Sequence, residues 1–263
     1  TGDRAQGVVI SGLTSIGGDN NSGLMISGFM NVTGNMASGL HFSGVANITG
    51  QSFGGLMASG LLNVVGEHMN GLQIAGIANI TASKLNGVQV ALCNYATKTR
   101  GLQIGLVNYY KEDMKGFQLG LVNANPDTKV QMMVYGGNAT PANIGVRFKN
   151  QLFYTILGVG SMYQGLNDKF SASASYRAGL SFPLYKGLSI SGDLGYQHIE
   201  AFDNKDEVIP KRLYALQARA NLEYQFTKKF GIFATGGYGV TRFYNKSSNY
   251  DKGAIIEAGI VLF

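Results

Sequence analysis

The sequence predicts an all-β chain in two parts: a β-solenoid of 14–16-residue coils over residues 1–129, then an eight-stranded antiparallel transmembrane β-barrel over residues 130–263. Three features predict it. Glycine recurs at a fixed interval through the first part, and apolar and polar residues alternate over long runs in the second. Only 14% of the chain is charged, against roughly 25% in soluble domains.

The repeat fixes the first part. Gly7, Gly23, Gly39, Gly55, Gly71 and Gly87 are each sixteen residues apart, as are Asn31, Asn47, Asn63 and Asn79. Asn94, Asn108 and Asn123 then follow at intervals of 15, 14 and 15. A unit such as SGLMISGFMNVTGNMA is too short for two helices and too rich in glycine for one. Stacked as coils, such units bury continuous columns of side chains. The run Leu24-Met25-Ile26 alternates with a strand's period of two. Apolarity predicts two inward columns. One holds Val8, Leu24, Leu40, Leu56, Leu72, Val88, Leu102 and Phe117, the other Ile10, Ile26, Phe42, Ala58, Ile74, Val90, Ile104 and Leu119. The position between them, Met25, His41, Met57, Gln73 and Gln89, is expected to form an outer stripe. Between Asn20 and Ser83 the only formally charged residue is Glu67. An uncharged, Met-bearing stripe is the expected partner-binding surface. The recurring asparagines are expected to bond from coil to coil, as stacked amides do in cross-β assemblies. Asn31-Val32-Thr33 and its copies match a glycosylation acceptor, but they recur because the coil recurs.

In the second part, Tyr214, Leu216, Ala218, Ala220, Leu222, Tyr224 and Phe226 alternate with Gln217, Arg219, Asn221, Glu223 and Gln225. Residues 170–182 and 187–200 alternate in the same way, with aromatics toward the ends of the apolar face. Small apolar centres with aromatic ends are the pattern of a lipid-facing strand. Eight strands are expected, at 130–136, 143–149, 151–163, 170–182, 187–200, 211–226, 230–244 and 253–263. On the other parity, Arg177, Asp193, Arg219, Glu223 and Glu257 are expected to pair inside a filled lumen. If Phe263 faced lipid, Glu257 would too. Ile256, Ala258, Ile260 and Leu262 are therefore expected on the lipid side. Short connections at 149–150, 183–186 and 227–229 alternate with longer polar ones. That places the short turns, and with them the start of the first strand, at the periplasmic rim. The solenoid is then expected in the periplasm. One missed strand would put it outside the cell.

With these residues in view, 130–263 resembles the small OmpA/OmpX-type outer-membrane barrels, which tend to end in an aromatic strand. The units GLQIGLVN (101–108) and GFQLGLVN (116–123) resemble bacterial surface-repeat proteins. The two resemblances imply an outer-membrane location and a filled barrel, and neither implies an activity.

Composition narrows the function further. Residues 1–129 carry 7 Lys+Arg and 6 Asp+Glu, and residues 130–263 carry 14 and 9, so the net charge of +6 divides as +1 and +5. The basic residues form no stripe with interleaved aromatics, so no nucleic-acid partner is expected. The lone Cys93 excludes an intrachain disulfide. No apolar run is long enough for a membrane helix. The polar start at Thr1 fits a processed exported chain. No cofactor motif or metal-ligand spacing is present. The acidic stretch Asp203, Asp206 and Glu207 lacks the order of a calcium loop. His198 and Glu200 share the lipid-facing parity without a serine beside them in the strand. A hydrolase would need that nucleophile. The expectation is a non-enzymatic outer-membrane protein. Its barrel anchors it among outer-membrane lipid, and its solenoid docks onto another outer-membrane protein or complex. The alternatives are a small-solute or transport-accessory barrel and, further off, a lipid-modifying enzyme.

Overall fold

The computed structural model describes residues 4–262, apart from 162, 164, 165, 167–169, 203–211 and 246. The chain divides into two compact units, Thr1–Pro126 and Asp127–Phe263, three residues before the boundary the sequence suggests.

In the first unit, β1 (Arg4–Ser11), β3 (Asn20–Ser27), β5 (Met36–Ser43), β7 (Ser52–Ser59) and β9 (His68–Ala75) stack in parallel along one wall. The short strands β2 (Thr14–Gly17), β4 (Met30–Thr33), β6 (Ala46–Thr49) and β8 (Leu62–Val65) stack along another. From β10 (Ala78–Val90) onward one strand serves both walls, because β10 pairs with β8 through Ala78–Thr81 and with β9 through Lys84–Val90. β11 (Cys93–Ile104), β12 (Val107–Leu119) and β13 (Val122–Ala124) continue the stack. Every pairing sets equivalent repeat positions opposite each other, as in Leu40 with Leu56 and His41 with Met57. The glycine column is obligatory. Gly55 has φ 128°, and a Cβ there would lie 2.2 Å from the carbonyl oxygen of Gly39. Close coil stacking leaves no room for a side chain at this corner.

Two amide ladders run through the interior in opposite senses. The asparagine side chains donate forward, Asn47 Nδ2 to Asn63 Oδ1 at 2.9 Å and Asn63 Nδ2 to Asn79 Oδ1 at 2.9 Å. The ladder reaches Asn123 through Asn94 and Asn108. From Asn31 to Asn94 each amide also donates to a carbonyl of the next coil, as Asn63 does to Ile74 at 2.7 Å. The glutamines donate backward, Gln89 Nε2 to Gln73 Oε1 at 2.8 Å and Gln103 Nε2 to Gln89 Oε1 at 2.9 Å.

The solenoid is therefore turned inside out relative to the apolarity-based expectation. Met25, His41, Met57, Gln73 and Gln89 form a buried column, not an outer stripe, and no partner can reach them. The expected core columns face outward, with Leu40 47% exposed and Phe117 50% exposed. The alternation was read correctly and its sign reversed. An amide left unpaired in a core is costly, but an unbroken column of amides satisfies itself. Asn and Gln can then share the interior with Phe53, Val65, Met69 and Leu85, and the apolar residues of the two expected columns go outside.

His41 interrupts the glutamine column between two methionines. It meets the Phe53 ring edge-on at 4.8 Å, and its Nε2 has no hydrogen-bond partner. Burial brings its pKa down to about 4 from the usual 6.5. The folded coil thus holds a neutral imidazole, while the unfolded chain takes up a proton below pH 6.5. Stability is full above that value and falls as pH drops toward 4, by up to about 3 kcal/mol. His41→Gln, the residue found in later coils, removes this loss. Thermal unfolding of the full chain in detergent is expected to show a gap between variant and wild type that widens from pH 6.5 to 4. A gap independent of pH would refute it.

The second unit is a closed barrel of β14 (Lys129–Gly137), β15 (Ala142–Asn150), β16 (Phe153–Ser161), β17 (Ser171–Tyr185), β18 (Leu188–Ala201), β19 (Arg212–Thr227), β20 (Phe230–Phe243) and β21 (Asn249–Leu262). Each strand pairs antiparallel with its sequence neighbours, and β14 closes the ring on β21, with Met132 opposite Leu262. The strands match those expected, except that β17 runs on past Pro183 and β21 begins earlier, at Asn249. Leu216, Leu222, Tyr224 and Phe226 face out, while Gln217, Arg219, Asn221 and Glu223 are buried. On β21, Ile256 faces out and Glu257 faces in, the parity expected. Phe263 and the stretch Asp203, Asp206 and Glu207 lie outside the described residues.

Candidate functional site: a filled lumen and an apolar solenoid surface

Strand parity brings all five expected lumen charges together and adds one the sequence reading missed. Arg147, on β15, forks onto Glu223 of β19, with Nη1 to Oε2 at 2.6 Å and Nη2 to Oε1 at 3.0 Å. Its Nε donates to Gln131 Oε1 at 2.6 Å. Arg177 forks onto Asp193, both contacts at 2.8 Å. Arg219 forks onto Glu257, both at 3.1 Å. Arg177 Nη1 lies 3.6 Å from the same Glu257 carboxylate, linking the second and third pairs. Three guanidinium groups thus meet three carboxylates, and the layer is neutral. Arg147 is legible in the alternation of Val146, Arg147 and Phe148, with Lys149 next on the same parity, but its strand is short.

Neutral donors lock the layer in place. Tyr154 donates its hydroxyl to Asp193 Oδ2 at 2.8 Å, and Asn221 Nδ2 donates to the same oxygen at 2.8 Å. Asn221 Oδ1 accepts from Arg177 at 3.1 Å and from Thr235 at 2.6 Å. Buried charges are tolerated when they are paired, and each fork supplies a pair of charge-assisted hydrogen bonds, while Nη1 of Arg177 and Nη1 of Arg219 are buried without a hydrogen-bond partner. The barrel is open only at its ends. One recess, of about 250 Å³, lies among Tyr163, Gln217, Thr241, Asp251 and Ile255. The other, of about 430 Å³, lies among Lys129, Gln131, Lys149, Ser181, Lys186 and Glu223. The ion-pair layer stands between them.

At the rim, the His198 ring lies between a tyrosine hydroxyl and the Glu200 carboxylate. Nδ1 of His198 meets the Tyr244 hydroxyl at 2.7 Å, and Nε2 meets Glu200 at 3.3 Å. Glu200 is also held by Arg212 at 2.9 Å. Tyr196, Tyr214 and Tyr244 surround the group. This is an aromatic belt with embedded polar atoms, the arrangement of a membrane–water boundary.

The other exposed feature is the solenoid surface. In one coil Leu72, Ile74, Ile77, Ala78 and Ile80 point outward. The equivalent positions from residue 24 to residue 124 are all apolar or aromatic, with Tyr95 and Tyr109 stacked on each other at 5.8 Å. The exposed Cys93 lies in the same surface. The charged residues lie elsewhere, in the corner that precedes each glycine of the column. Lys98 and Glu112 pair there at 3.2 Å.

No family model and no curated protein matches the chain. Among solved structures it is similar to the N-terminal β-barrel domain of Pseudomonas aeruginosa OprF, with 16% identity over 51% of this chain and 93% of that one, at a TM-score of 0.36. It is also similar to Neisserial surface protein A (NspA), with 9% identity over 51% of this chain and 92% of that one, at a TM-score of 0.33.

The lumen carries a direct test. Asp193→Asn leaves Arg177 short of a carboxylate in a buried layer, which costs about 3–5 kcal/mol. The double variant Arg177→Met/Asp193→Leu removes both charges and recovers at least half of that loss. Urea titration of the compact, heat-modifiable barrel band resolves the two. Equal stability of Asp193→Asn and wild type would contradict the paired layer.

Proposed function

We propose that this protein is a non-enzymatic outer-membrane protein whose barrel is a sealed anchor and whose solenoid docks onto a larger outer-membrane complex. The observation that carries the reading is the apolar solenoid surface, which no charge breaks over seven coils. Apolar surface of that extent is not kept exposed to water without a contact to cover it. The docking surface is the face of Leu40, Leu56 and Leu72, not the methionine–glutamine column. The barrel supports an anchoring role in two ways. Its outside is apolar with aromatic margins, and its lumen is crossed by paired charges that leave no channel for a solute. The even strand count and the placement of the short turns favour a periplasmic solenoid.

Isolation of the protein from its native membrane in mild detergent is expected to recover a second envelope protein in fixed proportion. Leu40→Asn/Leu56→Asn/Leu72→Asn is expected to release that partner while the barrel stays heat-modifiable. If wild type comes out alone, the docking role fails. Sidedness has its own test in a Cys93→Val background. Ser247→Cys, between β20 and β21, is expected to react with an impermeant maleimide on intact cells, and Ser52→Cys is not. Labelling of Ser52→Cys would move the solenoid to the cell exterior.

A further inference from the structure

The outward positions of the solenoid's two walls are of one chemistry only. Five per coil point away from the interior in the seven coils from Leu24 to Ala124, and none carries a charge or an amide. The hydroxyls of Tyr95 and Tyr109 are the only polar side-chain oxygens among them. A protein–protein interface of comparable extent carries about one hydrogen bond per 100–200 Å². This arc offers side-chain donors and acceptors at two places only.

The backbone of the arc is equally closed. The corner glycine between its two walls hands its N–H to the preceding coil, Gly44 to Ser27 O at 3.2 Å and Gly60 to Ser43 O at 3.2 Å. The residues that follow do the same, Val45 to Phe29 O at 2.9 Å and Leu61 to Val45 O at 3.0 Å. Even the corners, where a turn would ordinarily leave peptide groups to water, are bonded along the stack. That closure is a condition for placing backbone in hydrocarbon.

The charges are segregated. Asp19, Glu67, Lys84, Lys98, Arg100 and the 111–115 stretch all fall between the end of one coil's short strand and the glycine that opens the next arc. The cross-section of every coil is thus apolar on one side and polar on the other, the cross-section of an interfacial helix built from stacked strands. Asn125, Pro126, Asp127 and Thr128 are all that separate β13 from the first barrel strand. That is at most about 14 Å of extended chain, so the bilayer that holds the barrel is within reach.

We infer that the apolar arc is immersed in the acyl-chain layer of the same membrane, with the solenoid axis in the membrane plane and the charged corner toward water. The orientation follows from the charges. They occur along the whole stack, including Glu67 and Lys84 in its middle. A solenoid standing along the membrane normal would carry those two to mid-depth, whereas one lying flat keeps every charge in water. The inference rests on the anchoring reading above and deepens it: docking onto a partner takes place within the lipid layer.

The native thiol gives a test that needs no substitution, because Cys93 belongs to the arc. The unfolded full-length chain is labelled at Cys93 with an environment-sensitive fluorophore, refolded, and reconstituted into phosphatidylcholine vesicles with and without brominated acyl chains. Strong quenching by bromine and a blue-shifted emission are expected. In a Cys93→Val background, labels at Leu40→Cys, Leu72→Cys and Leu102→Cys are expected to quench to the same degree. Labels at Asn70→Cys and Arg100→Cys are expected to stay in water. Each preparation is checked for a heat-modifiable barrel. Arc labels with aqueous emission and no quenching would overturn the immersion. Quenching that grades from Leu40→Cys to Leu102→Cys would overturn the flat orientation. The docking reading fails separately. If arc labels quench in pure lipid and no partner accompanies the native protein, immersion stands and docking falls. If they do not quench but a partner is recovered, docking stands and immersion falls.

Discussion

Both halves of this molecule depend on one constraint: polar groups placed in the interior must find their partners there. In the barrel the constraint is met by guanidinium–carboxylate forks that cross the lumen between strands distant in sequence, as Arg147 and Glu223 do. In the solenoid it is met by amides that bond to their own copies one coil away. The chemistry differs because the geometry differs. A closed antiparallel barrel brings unlike strands face to face, so opposite charges can be matched. A solenoid brings each residue against its own repeat, so only a side chain that both donates and accepts can extend a column. A lysine or glutamate column would repel itself, and Asn and Gln carry both functions in one planar group.

This difference decides how much of each half was legible in the sequence. Alternation gave the two faces of every strand in both units. In the barrel the sign was readable too, because Arg177, Arg219, Glu223 and Glu257 share a parity that lipid would not tolerate. In the solenoid no charge marks the inward side. Met25, His41 and Met57 looked like an adaptable surface, and the leucines beside them looked like a core. The signal that could have corrected the reading is the succession Gln73, Gln89, Gln103 and Gln118 on the methionine parity, in phase with the asparagines. Two amide columns at repeat spacing can each extend from coil to coil through the interior. Apolarity alone does not give the inward side of a strand whose other face carries a self-satisfying amide column.

The lumen separates anchoring from conduction on physical grounds. A passage wide enough for a solute would have to part three bidentate ion pairs, and the Arg177 and Arg219 pairs are coupled through Glu257. Parting one leaves two buried charges in a low-dielectric layer. The two end recesses lie on either side of that layer. What the barrel offers its surroundings is its outer wall and its rims. What the solenoid offers is an arc of the same apolar character. The molecule carries one kind of surface on two different architectures.

The solenoid is not equally secured along its length. The asparagine ladder runs from Asn31 to Asn123, but the glutamine ladder begins only at Gln73, whose amide reaches back to the Met57 sulfur at 3.9 Å. Before that point the second column holds Met25, His41 and Met57, which cannot pass a hydrogen bond along the stack. Among the described solenoid residues, the buried polar atoms without a partner gather in the same coils. They belong to Asn20, Asn21, His41, Ser43, Thr49 and Ser59, with Thr99 alone in the later coils. In a stack where each coil contacts only its neighbours, stability is close to a sum of local terms. Opening of the structure therefore starts in the coils before Gln73, where one ladder carries the load of two. The later coils, with both ladders complete, are the rigid base from which the rest is held.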